Sequence, residues 1–66
     1  MRMTIRTERE TDGRWIAEIT ELPEVLAYSE SMSGAISRVQ ALALRVIADR
    51  LDHGEAFPEL ESLFSS

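Results

Sequence analysis
Residues 31–54 read Ser31-Met-Ser-Gly-Ala-Ile-Ser-Arg-Val-Gln-Ala-Leu-Ala-Leu-Arg-Val-Ile-Ala-Asp-Arg-Leu-Asp-His-Gly54, and this stretch decides the fold. Ser31 suits an N-cap, Gly54 suits the position after a helix C-terminus, and His53 suits the negative end of the dipole. No proline interrupts the run, and its one internal glycine, Gly34, lies in the first turn. At about 100° per residue, Ala35, Ile36, Val39, Leu42, Ala43, Val46 and Ile47 share one arc, wide enough to cover a sheet. Ala41, Leu44, Ala48 and Leu51 form a second, thinner stripe. Either that stripe is ordinary helix composition or it is the seam of a homodimer. If Ser31 is the N-cap, a capping box wants Glu or Gln at position 34, where glycine stands. Gly34 costs roughly 1 kcal/mol against alanine, so the first turn frays there or a neighbour needs close approach. About 22 helical residues span roughly 33 Å, longer than a small sheet, so the turns from Ile47 to His53 should project or meet something else.

Before the helix the period changes to two. Met3, Ile5 and Thr7 alternate with Arg2, Thr4, Arg6 and Glu8, which predicts a first strand within residues 1–10. Asp12-Gly13 marks a hairpin turn, because glycine accepts positive φ. A second strand follows over 14–20, with Trp15, Ala17 and Ile19 on one face and Ile16 and Glu18 on the other. No basic or second aromatic residue flanks Trp15 at stacking distance in sequence to make a platform with it, so it reads as core. Glu21-Leu22-Pro23-Glu24 predicts a loop that breaks the ladder. Residues 25–30 form the third strand, with Val25 and Ala27 opposite Leu26 and Tyr28, and Tyr28 fills a gap at an edge. Phe57 and Pro58 anchor a loop. Leu60, Ser62 and Phe64 suggest a short fourth strand over 59–66, parallel to the first, in the sheet order 3-2-1-4 with a right-handed crossover. The predicted class is α+β: a three-stranded antiparallel sheet, one long helix on one face and that short parallel strand, in a single domain over 1–66.

The chain has 66 residues and no cysteine. A domain of this size buries roughly 60% of its unfolded surface, so self-association is a common way to gain stability. The absence of cysteine fits a reducing compartment. The first residues contain no apolar run of signal-peptide length, and Val39–Leu44 is far too short to cross a bilayer, so the expectation is a cytoplasmic protein. Twelve acidic and seven basic side chains give a net charge of −5. An acidic chain without a Lys/Arg cluster is poorly suited to bind duplex nucleic acid directly and better suited to a basic protein partner.

Catalytic chemistry has few candidates. Asp49, Asp52, His53 and Glu55 cluster at the helix end, but this pattern is common on solvated helices and reads as a terminus rather than a metal site. No serine or threonine is matched to His53, and Gly13, Gly34 and Gly54 make no phosphate loop. The residues predict no enzyme, cofactor or metal.

Gly13-Arg14-Trp15-Ile16-Ala17-Glu18-Ile19, then Glu21-Leu22-Pro23, Ala27-Tyr28-Ser29-Glu30-Ser31 and Ala35, resemble the HicB-like antitoxin family over nearly the whole chain. Thr20, Glu24 and Gly34 depart from that pattern, which has proline, glycine and a capping glutamate there. The resemblance implies a partly degenerate RNase H-like βββαβ unit without nuclease activity. It also implies a partner: a small basic RNA-cleaving toxin of the HicA type, neutralised by occlusion of its active surface. Many members carry a further DNA-binding segment, and with the chain ending at Ser66 none is expected here. Glu18, Glu21, Glu24 and Glu30 are the candidate partner-steering residues, and Ala41, Leu44, Ala48 and Leu51 the candidate self-association seam. The alternative is a self-associating scaffold of the same fold with no toxin.

Overall fold
The structure, a computed structural model, describes residues 2–58, 60 and 64. Three strands and one helix follow in order: β1 (Ile5–Arg9), β2 (Trp15–Ile19), β3 (Leu22–Ser29) and α1 (Met32–Asp52). The sheet is an antiparallel meander in the order β1-β2-β3, and the helix packs on one face. The α+β architecture is the expected one.

Local chemistry sets the joints. The first hairpin closes on Glu10 and Arg14, where the Glu10 amide donates to the Arg14 carbonyl at 2.7 Å. Gly13 donates back to the Glu10 carbonyl at 3.0 Å and takes φ +91°. This is a three-residue loop whose last residue needs the left-handed region, as Asp-Gly predicts. The Asp12 carboxylate accepts from the Arg14 amide at 3.0 Å and bonds its guanidinium at 2.8 Å. These contacts, the backbone amide foremost, hold the Asp12 pKa below its ordinary value.

The second connection is shorter than expected. Only Thr20 and Glu21 separate β2 from β3, and Leu22, Pro23 and Glu24 belong to the strand, not to a loop. The ladder accommodates Pro23 through a register shift. Glu18 pairs with Leu26, but Ile19 pairs with Leu22, so residues 23–25 lie in an irregular stretch of an edge strand. An edge strand with a bulge tolerates a residue without an amide donor. Leu22 and Val25 both turn into the core, 3% and 0% exposed.

The helix ends are as expected. The Ser31 side chain accepts from the Gly34 amide at 3.0 Å. At the other end Gly54 takes φ +80° and donates to the Leu51 carbonyl at 3.0 Å, while the Glu55 amide reaches the Arg50 carbonyl at 2.9 Å. That pair of bonds is a Schellman closure. The glycine in the first turn is explained by close approach. A Cβ on Gly34 would press into the Ser29 side chain and lie 2.8 Å from the Ser31 Oγ, the cap atom itself.

The core draws Ala17, Ile19, Leu22 and Val25 from the sheet and Ala35, Val39, Ala43 and Ile47 from the helix. Its alanines let helix and sheet approach closely, and Trp15, Leu42 and Val46 pack around them half-buried. The helix sits chiefly over β3 and β2 and touches β1 least. Its last turns do not project freely. Arg50 pairs with Glu24 and lies over the Phe57 ring at 6.0 Å, and Phe57 and Leu60 pack against the core. Most of the expected fourth strand (59, 61–63, 65 and 66) lies outside the described residues. Nearby, the Leu60 amide donates to the Phe57 carbonyl at 2.9 Å and the Phe64 amide to the Leu60 carbonyl at 3.1 Å, which are turn bonds, not ladder bonds.

Candidate functional site
Because side chains alternate across a strand, the sheet has a second face that the helix does not cover. Register places two cross-strand rows there: Glu8, Ile16 and Tyr28, and beside it Arg6, Glu18 and Leu26. Leu26 and Tyr28 are 40% and 39% exposed, while Ile16, between Glu8 and Tyr28 in the first row, is half-buried. The Arg14 guanidinium lies over the Tyr28 ring at 4.9 Å, and Arg38 from the helix donates to the Tyr28 carbonyl at 3.1 Å. Tyr28 therefore does not plug a gap. It ends a surface chain, from Asp12 through Arg14 to Tyr28, in which a cation stacks on an aromatic face. Arg14, Tyr28, Ser29, Glu30 and Arg38 line one shallow pocket at this end.

The four glutamates proposed from sequence fall in different settings. Glu18 stands on the open face between Arg6 and Leu26. Glu30 lies in the pocket with Arg14 and Arg38. The other two serve the fold. The Glu21 carboxylate accepts from the Thr4 amide at 2.8 Å and from the Thr4 hydroxyl at 3.0 Å, clipping the start of β1 to the β2–β3 turn. Glu24 forms an ion pair with Arg50, tying β3 to the helix end. The structure thus leaves Glu18 and Glu30 facing outward at a distance from these internal contacts.

The Thr4 amide bond is the foremost cause holding the Glu21 pKa below its ordinary value of 4.5. A depressed carboxylate contributes its stability in full above that ordinary value and loses it as the pH falls through 4.5 toward the folded value. The thermal midpoint of the wild type should therefore drop more than that of Glu21→Gln between about pH 6 and pH 3. Equal slopes in parallel melts would refute the clip. The comparison with Glu21→Gln separates it from Asp12, whose carboxyl is also held below its ordinary value.

On the helix, Ala41, Leu44, Ala48 and Leu51 are all exposed, Leu44 at 68% and Leu51 at 44%. Leu44 does not stand alone. With Met3, Ile5, Ile19, Gln40, Ala43 and Ile47 it lines a mostly apolar groove of about 360 Å³ between the helix and β1. The groove exists because the helix is offset toward β3. Helical spacing places Leu51 and Ala48 on this same flank.

His53 is part of the helix end, with Nδ1 2.8 Å from the Asp49 carbonyl and 3.6 Å from its carboxylate. Among the described residues no three His, Cys, Asp or Glu side chains are grouped to hold a metal ion. No described helix is long and apolar enough to cross a membrane. Sequence reasoning missed the arginines. Arg38 and Arg50 each bond across the fold and Arg14 stacks on Tyr28, while only the hairpin spacing of Asp12 and Arg14 carries a local signal.

No protein-family model, curated protein or solved structure matches this chain. The HicB-like resemblance accordingly rests on the residues of the sequence quoted for it.

Proposed function
We propose that this chain is a non-catalytic protein-binding module of the HicB-like antitoxin type, which masks a small basic RNA-cleaving toxin of the HicA type. The observation that carries the reading is the open sheet face. It presents Leu26 and Tyr28, 40% and 39% exposed, next to Glu18, on a domain of net charge −5. Apolar anchors with acidic neighbours suit a basic protein: the charges steer the encounter and the desolvated anchors hold the complex. Glu18 and Glu30 are the steering residues in this reading, since Glu21 and Glu24 are engaged within the fold.

The test is co-purification with, and titration against, the product of a small basic reading frame next to this gene. Leu26→Arg should weaken that complex by about tenfold or more, as loss of an interface anchor does. Glu18→Lys should slow association and reduce its salt dependence. Failure of the wild-type chain to bind any such product overturns the reading.

One observation favours a second reading, a self-associating scaffold with no toxin. Leu44, at 68% exposed, borders an apolar groove that nothing among the described residues fills. Sedimentation showing a homo-oligomer, together with no captured basic protein, favours it.

A further inference from the structure
The two edges of the sheet are not equivalent. The outer edge of β3 is obstructed. Pro23 has no amide to offer, Arg38 occupies the Tyr28 carbonyl, and the Glu24–Arg50 ion pair crosses near its start. These are ordinary ways to stop a strand edge from pairing. The outer edge of β1 carries none of them. The Thr20 amide donates to the Thr4 carbonyl at 3.1 Å and the Glu10 amide to the Arg14 carbonyl at 2.7 Å. Residues 4 and 10 therefore direct their backbone groups toward β2. By alternation, so do Arg6 and Glu8. Ile5, Thr7 and Arg9 then point their amides and carbonyls away from the sheet, and among the described residues nothing pairs with them.

The centre of this edge, Arg6-Thr7-Glu8, is complementary in charge to itself when reversed. We propose that two copies of this chain join through their β1 edges, antiparallel and centred on Thr7, into one continuous sheet. This names the surface for the self-association reading and rests on it. Three observations converge on the register. Thr7 is one of the residues whose amide and carbonyl point outward, so it bonds the second copy's Thr7, while Ile5 bonds Arg9 on either side. Arg6 then faces the second copy's Glu8, and Glu8 the second copy's Arg6, in the closely spaced pairs that lie between hydrogen-bonded ones. Centring on Arg6 or on Glu8 sets like charges opposite each other, and centring on Ile5 leaves Arg6 opposite threonine. Finally, the apolar groove of Met3, Ile5 and Leu44 opens on the same flank of the molecule as this edge, so pairing brings the two grooves toward each other.

The experiment is a sedimentation dilution series on the full chain, with circular dichroism to confirm folding of each variant. The wild type should dimerise. Arg6→Glu and Glu8→Arg each turn both cross-copy pairs repulsive, and each should weaken the dimer by about tenfold or more. Mixing these two variants in equal amounts restores opposite charges across the junction and should restore dimer, as a heterodimer. Thr7→Pro removes an outward amide without touching the β1–β2 ladder, and it should leave a folded monomer. Amide exchange at Ile5, Thr7 and Arg9 should slow with rising protein concentration. Charge variants that dimerise as tightly as wild type, while Leu44→Glu dissociates, overturn the β1 junction and keep self-association through the helix stripe. A wild type that stays monomeric overturns both. Protection of the Thr7 amide in a monomer assigns the edge to the chain's own residues and also overturns the junction.

Discussion

Val39→Asp is expected to abolish the folded state. Val39 is 0% exposed at the centre of the helix face that meets the sheet, in the same cluster as Val25, also 0% exposed. Among the described residues no buried polar group lies in that cluster to receive a carboxylate. An unpaired charge there costs several kcal/mol, or forces the group to bind a proton at a comparable cost. A domain of 66 residues has roughly 3–10 kcal/mol in all. Far-ultraviolet circular dichroism at neutral pH should show a chain that has lost its helix, with no cooperative urea transition. A wild-type-like transition would mean that the helix face is wrongly placed. The control is on the same helix. Leu44→Glu sets a carboxylate on a residue 68% exposed and should leave the monomer fold intact.

Gly34→Val should destabilise the domain by about 2–3 kcal/mol, although helix propensity by itself favours valine over glycine. The added side chain would enter the space of Ser29 and lie within 2.8 Å of the Ser31 Oγ. The Ser31 hydroxyl cannot retreat without giving up the bond it accepts from the Gly34 amide, and a lost cap costs about 1 kcal/mol. Overpacking against the end of β3 adds roughly 1–3 kcal/mol. Urea denaturation measures the sum, and Ser29→Gly in the same chain should return part of it. A variant more stable than wild type would show that the first turn is open and that only propensity operates there.

These two positions show different kinds of legibility. Val39 is readable from spacing, because a residue on the helix arc that faces a sheet is buried whatever the details of the sheet. Gly34 is readable only as an anomaly. Its position in the first turn announces a conflict between propensity and structure, but that Ser29 is the neighbour that resolves it is known only from the three-dimensional path of the chain between β3 and the helix. Pro23 misleads for a related reason. Its missing amide argues against a strand interior, and the argument fails because β3 is an edge strand whose register slips between Glu18 and Ile19.

The candidate sites divide in the same way. Glu18 and Leu26 share the open face by simple alternation along strands, so their common exposure follows from the pattern. The removal of Glu21 and Glu24 from the steering set does not. Their partners, Thr4 and Arg50, are 17 and 26 residues away, and nothing local pairs them.

By itself the sequence determined the strands' alternation, the Asp-Gly turn, the long helix with its serine cap and glycine stop, and the arc that becomes the core. All of these rest on interactions within a few residues. The tertiary structure decided what lies between elements: that the helix sits toward β3, that arginines and a proline obstruct one edge of the sheet, and that β1 and the stripe around Leu44 share a flank that no other described element covers. Those outcomes depend on how closely alanine-lined surfaces approach and which long side chains reach across them, and a linear pattern carries neither distance.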